Sequence, residues 1–306
     1  MKKITIATVR SMYREPLEII GYQFGEGRKT LCIVGSMRGN EYSQIFACSQ
    51  LIHRMKQLEE EGSLHLGHEI LIIPTLNNYS MNVYKRFWTT DNTDINRMFP
   101  GYDKGETTQQ IAAAAFEVIN QYQYGIQFAS YYMDVDFIPH IRMMKTGYED
   151  FELANEFGLP FAVLRKPRPY DTTTLNYNLQ VFDTMAFSLF TSTNDSITNA
   201  DILMARDAVL RFMRARDLID IRLPAGYQTR KINYEDIFSI RCEHGGIFKA
   251  IKMAGEQVNK CDLLAEIYDP MDGEIIEYIR TDYDGIVFFA HGKLAISGQS
   301  TVYKII

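Results

Sequence analysis

Residues 30–55 read TLCIVGSMRGNEYSQIFACSQLIHRM. A short apolar run, TLCIVGS, has the length and β-branched content of a buried strand. It meets Gly39, Asn40 and Glu41, and a helical pattern starts at once. Tyr42, Ile45, Phe46, Ser49, Leu51, Ile52 and Met55 recur close to helical spacing, and Gly62 ends the segment. A strand that turns directly into a helix is the repeating unit of an α/β sheet.

The same alternation continues along the chain. EILIIPTL (69–76), YGIQFASYY (124–132), PFAVLRK (160–166) and TMAFSLFTST (184–193) read as further buried strands. Residues 107–121, TTQQIAAAAFEVINQ, read as a helix opened by a threonine cap. Residues 198–216 read as another, with Ile202, Ala205, Val209 and Phe212 on one face. The expected architecture is a sheet covered by helices on both faces. After LPAG (223–226) the segments become short and β-like, with turns at HGG, AGEQ, DPMDGE, YDG and AHGK. The expected domains are therefore an α/β domain over 1–225 and a small all-β domain over 226–306.

Bulk properties exclude several functions. The 306 residues carry a net charge of -6, against the basic patch of a nucleic-acid binder. No apolar run is long enough to span a bilayer. MKKITIATVRSMYREP has neither the apolar core nor the cleavage site of a signal peptide. Cys32, Cys48, Cys242 and Cys261 are scattered without a C-x-x-C pair, and read as free buried thiols in a reducing cytoplasm.

Two stretches could carry chemistry. The first is the strand–helix junction, where a hydrolase often aims a His and a Glu, three residues apart, at one zinc ion. Here Glu41 stands at the second position but Arg38 at the first. The second is the irregular region 77–106, long enough to suggest a functional loop. It concentrates Arg86, Asp94, Asn96 and Arg97. Two arginines near an asparagine suit a carboxylate, which a guanidinium binds bidentately. The alternative is that Asp94 and the arginines brace the loop internally. Elsewhere, His65, His68 and Glu69 read as a solvated turn, His53 as a surface or packing residue, and Asp134, Asp136 and His140 as a possible pocket rim.

Together GSMRGNE, PTLNNYSMNVYKRF, DINRMFPG, DFIPHIR and the β-rich tail resemble the succinylglutamate desuccinylase/aspartoacylase family over about residues 29–306. The resemblance implies a zinc-carboxypeptidase-like mixed sheet and hydrolysis of the amide of N-acyl amino acids. It implies that Arg86 polarises the scissile carbonyl, and that Asn96 and Arg97 bind the substrate carboxylate, with Asp94 before them. It also implies zinc on a His and a Glu of H-G-[ND]-E plus a later His of D-L-H, and a Glu that activates water. At those positions this sequence has Arg38, Glu41, Gln127 and Phe190.

Arginine has no lone pair to give a metal, and phenylalanine accepts no proton. Arg38 and Glu41 are close enough in sequence to pair. The expectation is a non-catalytic relative that binds a small carboxylate without zinc, alone, as a homo-oligomer or beside an active relative. The alternatives are an active hydrolase with a rearranged site, its metal on Glu41 and His140, or a purely structural subunit. By resemblance the tail is a lipoyl- or biotinyl-like sandwich, but its hairpin DPMDGE lacks the lysine that attachment needs.

Overall fold

Alternate residues of one strand feed two different cores. Leu31 and Ile33 pack into one hydrophobic cluster, while Cys32 and Val34 pack into another. Side chains of a strand point alternately to opposite faces, so a layer of helices must cover each side. The computed structural model describes residues 1–10, 15–191 and 198–306. It divides into one unit of residues 1–130 and 140–231, and a second of 131–139 and 232–306.

In the first unit, β1 (Lys2–Val9) and β2 (Leu17–Phe24) pair antiparallel. Then come β3 (Gly27–Ser36), β4 (Gly67–Thr75) and β5 (Tyr124–Ala129). A short β6 (Val135–Phe137) belongs to the second unit. The chain returns for β7 (His140–Met144), β8 (Phe161–Arg165) and β9 (Met185–Phe190). The sheet order is β1-β2-β4-β3-β5-β9-β7-β8, with a ninth strand, β10 (Arg230–Asn233), beside β8. β4, β3, β5 and β9 run parallel, and β7 runs antiparallel to β9.

Helices cover both faces. Leu51 and Met55 of α1 (Tyr42–Glu60) share the first cluster with Ile202, Ala205, Val209 and Phe212. α2 (Asn78–Met81) is a single turn in the long loop. Ile111, Ala112 and Ala115 of α3 (Thr107–Ile119) enter the second cluster. α4 (Phe151–Asn155) adds Ala154 to the first cluster, and α5 (Leu175–Val181) adds Leu175 and Leu179 to the second. The four α-helical residues 202, 205, 209 and 212 lie in α6 (Asn199–Ala215), on the face that the spacing indicates.

The second unit is all-β among the described residues. After β10 (Arg230–Asn233), which crosses the boundary between the units, come β11 (Phe238–Arg241), β12 (Gly246–Ala250) and β13 (Gln257–Val258). They are followed by β14 (Leu263–Tyr268), β15 (Ile275–Arg280), β16 (Gly285–His291), β17 (Ala295–Ile296) and β18 (Thr301–Ile305). One sheet is ordered β11-β18-β16-β13, with β6 also on β16; the other is β15-β14-β12-β17. Phe248, Leu264, Ile267, Val287 and Val302 fill the core.

Several expectations change in detail. The second unit starts at Ile232 rather than residue 226, and it takes residues 131–139 from the middle of the chain. β1 and β2 are strands without a continuous apolar run, because each is only half covered: Ile19 is buried while Lys2, Lys3 and Glu18 are exposed. On α1 the buried face includes Ala47 and Cys48, and Phe46 is exposed. Its apolar residues spread around the helix, so spacing alone leaves the face ambiguous. The cap of α3 is Glu106 rather than a threonine, with Gln109 Oε1 accepting from Glu106 N at 3.0 Å. The last residues of the strand reading 184–193 lie outside the described residues.

His68 and Glu69 are not in a solvated turn: both lie in β4. Thr30 Oγ1 lies 2.9 Å from His68 Nδ1, and Tyr122 donates to Glu69, so pairing with β3 makes a strand of a polar segment. His65 sits before it, 3.2 Å from Asp217 Oδ1, and His53 is exposed on α1 beside Gln57. Cys32, Cys48 and Cys242 are free and buried; Cys261 is free but exposed, on a turn with φ of 73°. Among the described residues no helix is long and apolar enough to cross a membrane.

Candidate functional site at the ends of the parallel strands

β3, β5 and β9 all end at one edge of the sheet, at Ser36, Ala129 and Phe190. The carboxyl ends of parallel strands are where α/β sheets hold their ligands. Arg38 and Glu41 follow the first of these ends and Ser130 the second.

The turn from β3 to α1 is built around Glu41. It is the N-cap of α1, but its carboxylate does not cap the helix. It folds back, so that Oε2 accepts from Met37 N at 2.9 Å and Arg38 N at 3.1 Å. Oε1 accepts from Arg38 Nη1 at 2.9 Å and Ser130 Oγ at 2.7 Å. Glu41 is 1% exposed, so these bonds replace water entirely.

Arg38 has a second partner. Its Nε and Nη2 donate to Asp94 Oδ2 at 3.1 and 2.9 Å. Asp94 Oδ1 accepts from Asn96 N, opening the 3-10 turn Ile95–Arg97. One guanidinium therefore ties the strand–helix turn to the long loop. Burial opposes its charge, but Glu41 and Asp94 more than offset this and hold Arg38 above its ordinary range.

Gly39 allows the two segments to meet: a Cβ there would stand 2.5 Å from Lys85 O and 2.6 Å from Ser80 C. Its N–H donates to Arg86 O at 3.3 Å. The Arg86 guanidinium lies within electrostatic reach of Arg38, Asp94, Glu41 and Arg97. Burial, reinforced by Arg38, pushes it down to about 10, against the pull of Asp94 and Glu41. It remains charged at neutral pH.

Asn96 and Arg97 are held from the far side. Asn96 Oδ1 accepts from Leu175 N at 3.1 Å. Arg97 Nη1 donates to Tyr170 O and lies 3.7 Å from Asp171 Oδ1; Asp171 also pairs with Arg165 at 3.0 Å.

The remaining positions sit on the sheet itself. Gln127 on β5 is in register with Val34 on β3 and Ser188 on β9. Phe190, two residues after Ser188, pairs with His140 on β7. The His140 ring stacks on it at 4.9 Å, and the Arg142 guanidinium lies 4.1 Å from its centroid. Arg142 Nη2 is 3.4 Å from His140 Nε2. Asp134 and Asp136 are not with His140 in this unit. They fall in the second unit, where Asp136 accepts from Ala254 N at 2.8 Å and Asp134 is 4.0 Å from Lys293.

These residues do not fit zinc. Among the described residues no three His, Cys, Asp or Glu side chains are placed to hold a metal ion. Both Glu41 oxygens are occupied, and the nearest charged neighbour is a guanidinium. Zinc needs lone pairs, and a unit positive charge at 4 Å would repel each of its charges by about 4 kcal/mol at an effective dielectric near 20. His140 stacks on a phenyl ring and lies beside a guanidinium.

The structure brings Arg38 and Glu41 together with Asp94 of the 86–97 loop. Sequence reading misses that Arg38 is the partner of Asp94, and it misses Ser130 and Arg142. Pairings across 56 and 89 residues leave no local signal.

The succinylglutamate desuccinylase/aspartoacylase catalytic domain matches residues 27–215. An N-alpha-acetyl-L-2,4-diaminobutyric acid deacetylase from Halomonas elongata is 23% identical over 92% of this chain and 82% of its own length. Among solved structures, a succinylglutamate desuccinylase from Silicibacter sp. TM1040 superposes with a TM-score of 0.82 at 19% identity, covering 99% of this chain and 92% of that one. The product-bound ectoine utilization protein EutE (DoeB) from Ruegeria pomeroyi gives 0.79 at 17% identity, covering 95% and 89%. At such identities the solved structures speak for the fold alone, and the domain match speaks for more. With that match spanning well over half of its residues, the chain belongs to the succinylglutamate desuccinylase/aspartoacylase family.

Proposed function

We propose that this chain binds a small carboxylate at the ends of its parallel strands and does not hydrolyse amides through zinc. The observation that carries the reading is Arg38, whose guanidinium bonds Glu41 and Asp94 where the family resemblance puts a zinc ligand. A fixed organic cation takes the place of a metal charge. Phe190, under Arg142 and beside His140, offers no base to activate water. A carboxylate would have the charged Arg86 as its first contact, with Asn96 and Arg97 beside it.

The related deacetylase from Halomonas elongata acts on an N-acetylated amino acid, so N-acyl amino acids are the ligand class to try first. The proposed setting is cytoplasmic, with a homo-oligomer or an active relative as partner. The second unit is read as a lipoyl- or biotinyl-like sandwich without an attached group, because its Asp269–Glu274 turn has no lysine.

The test is metal analysis of the purified protein together with thermal shifts on N-acetyl amino acids and small dicarboxylates. A ligand at a hundred times its Kd stabilises by about 2.7 kcal/mol. Stabilisation without zinc or amine release supports the reading. Stoichiometric zinc with release of free amino acid overturns it.

A further inference from the structure

The second unit holds a cleft of its own, about 500 Å³ in volume, which is the size of a small-molecule site. Its walls are apolar: Ile247, Phe248, Met253 and Leu294 line it. Phe248 is buried, but Ile247, Met253 and Leu294 are 40%, 50% and 74% exposed. Apolar residues scattered singly over a surface are ordinary, whereas several gathered around one concavity mark a binding site.

Two polar side chains, Asp136 and His291, reach the same cleft. Asp136 is half-buried on β6, and its Oδ2 accepts from Ala254 N at 2.8 Å, which leaves Oδ1 for a ligand donor. The lysines nearby already have acids. Lys249 Nζ lies 3.1 Å from Glu266 Oε2, Lys252 Nζ 3.7 Å from Glu256 Oε1, and Lys293 Nζ 4.0 Å from Asp134 Oδ2. Asp136 stands in no such pair among the described residues. His291 adds no positive charge at neutral pH. Its Nδ1 accepts from Lys293 N at 3.4 Å, and burial, helped by Lys293, holds its pKa below 6.5.

We propose that this cleft binds a small organic ammonium ion with an apolar body, its ammonium on Asp136 and its hydrocarbon part against Ile247, Phe248, Met253 and Leu294. An ammonium brings three donors to a carboxylate that offers a spare oxygen, and their attraction is stronger beside apolar walls than in water. Burying the hydrocarbon part adds to it. Asp136 repels a carboxylate, so this site and the one proposed in the first unit take ligands of opposite charge.

The probes are 2-phenylethylamine, 2-phenylethanol and 3-phenylpropionate, which share a phenyl arm and carry a positive, a neutral and a negative head. Titration calorimetry on the full chain at neutral pH should give the amine at least about tenfold tighter than either of the others, the measure of one charge-assisted hydrogen bond. Asp136→Asn keeps an acceptor for Ala254 N and should bring the amine and the alcohol to equal affinity at an unchanged Tm. Leu294→Ser leaves Asp136 in place and should weaken the amine at least about threefold through lost apolar contact. An amine that binds no tighter than the alcohol overturns the proposal. So does a preference that survives Asp136→Asn, which would put the amine elsewhere on the chain, and so does failure of all three probes to bind. If Asp136→Asn lowers the Tm, Leu294→Ser decides: weakened amine binding supports the cleft, and unchanged binding overturns it. None of these outcomes bears on the carboxylate site of the first unit.

Discussion

Arg38 Nη1 stands 2.9 Å from Glu41 Oε1 while its Nη2 stands 2.9 Å from Asp94 Oδ2, so one side chain, 8% exposed, closes two buried ion pairs at once. Removing one member of such a group strands the others without water. Arg38→Met is therefore expected to cost roughly 3–5 kcal/mol. The triple variant Arg38→Met, Glu41→Gln, Asp94→Asn should recover most of that loss. Urea unfolding of both variants checks this; a triple variant no better than the single one would mean that charge pairing is not what holds the turn.

The same geometry makes a claim about metal. Arg38→His with Gln127→His leaves Glu41 and supplies two imidazoles, and Asp94→Asn removes the charge that Arg38 had balanced. This triple variant should take up zinc near one per chain, and the wild type should take up none. Metal analysis after dialysis against zinc decides it. None on the variant would mean that the three positions do not face one point, and zinc on the wild type would mean that Arg38 does not exclude the metal.

Gly39 is needed for a close approach rather than for an unusual backbone angle. A methyl group there meets two backbone atoms, Lys85 O and Ser80 C, at under 3 Å. Gly39→Ala should lower stability by about 1–3 kcal/mol and weaken carboxylate binding as the loop carrying Arg86 and Asp94 is displaced. Thermal denaturation with a carboxylate titration reads both effects. An unchanged Tm would show that the loop can yield freely.

His291 supplies a pH dependence in the second unit. Burial, helped by Lys293, lowers its pKa below 6.5, and its Nδ1 accepts from Lys293 N. The unfolded chain then binds a proton more readily than the folded one. The His291 contribution is complete above pH 6.5 and is lost as pH falls through the lower folded value. Tm measured from pH 7.5 to 5 should drop more steeply for wild type than for His291→Gln. Parallel curves would assign the acid sensitivity elsewhere.

Much of the first unit was legible because its signals are local. β3, β4, β8 and α6 show their runs and spacings in the sequence itself, and a parallel strand buried on both faces is a continuous apolar run. β1 and β2 were not legible, because an outer hairpin mixes Lys and Glu with its apolar residues. At the site, Arg38 and Glu41 announce each other across three residues. The Asp94 end of the bridge and Ser130 do not, because only the folded sheet brings them there. Asp134 and Asp136 belong to the second unit and His140 to the first, a change of unit that adjacency in the sequence does not reveal.

That change of unit has a consequence for how the gene could be cut. β6 pairs with β16 through Phe289–Phe137, Ala290–Asp136 and His291–Val135, so a strand from the middle of the chain completes a sheet otherwise made from its end. A fragment stopping before Ile232 would carry the orphan segment 131–139, with Val135 and Phe137 stripped of their cover, between two strands of its central sheet. The two units are not modules that truncation can separate, and insertion or loss of the tail as a cassette would have to bring a nine-residue excursion with it.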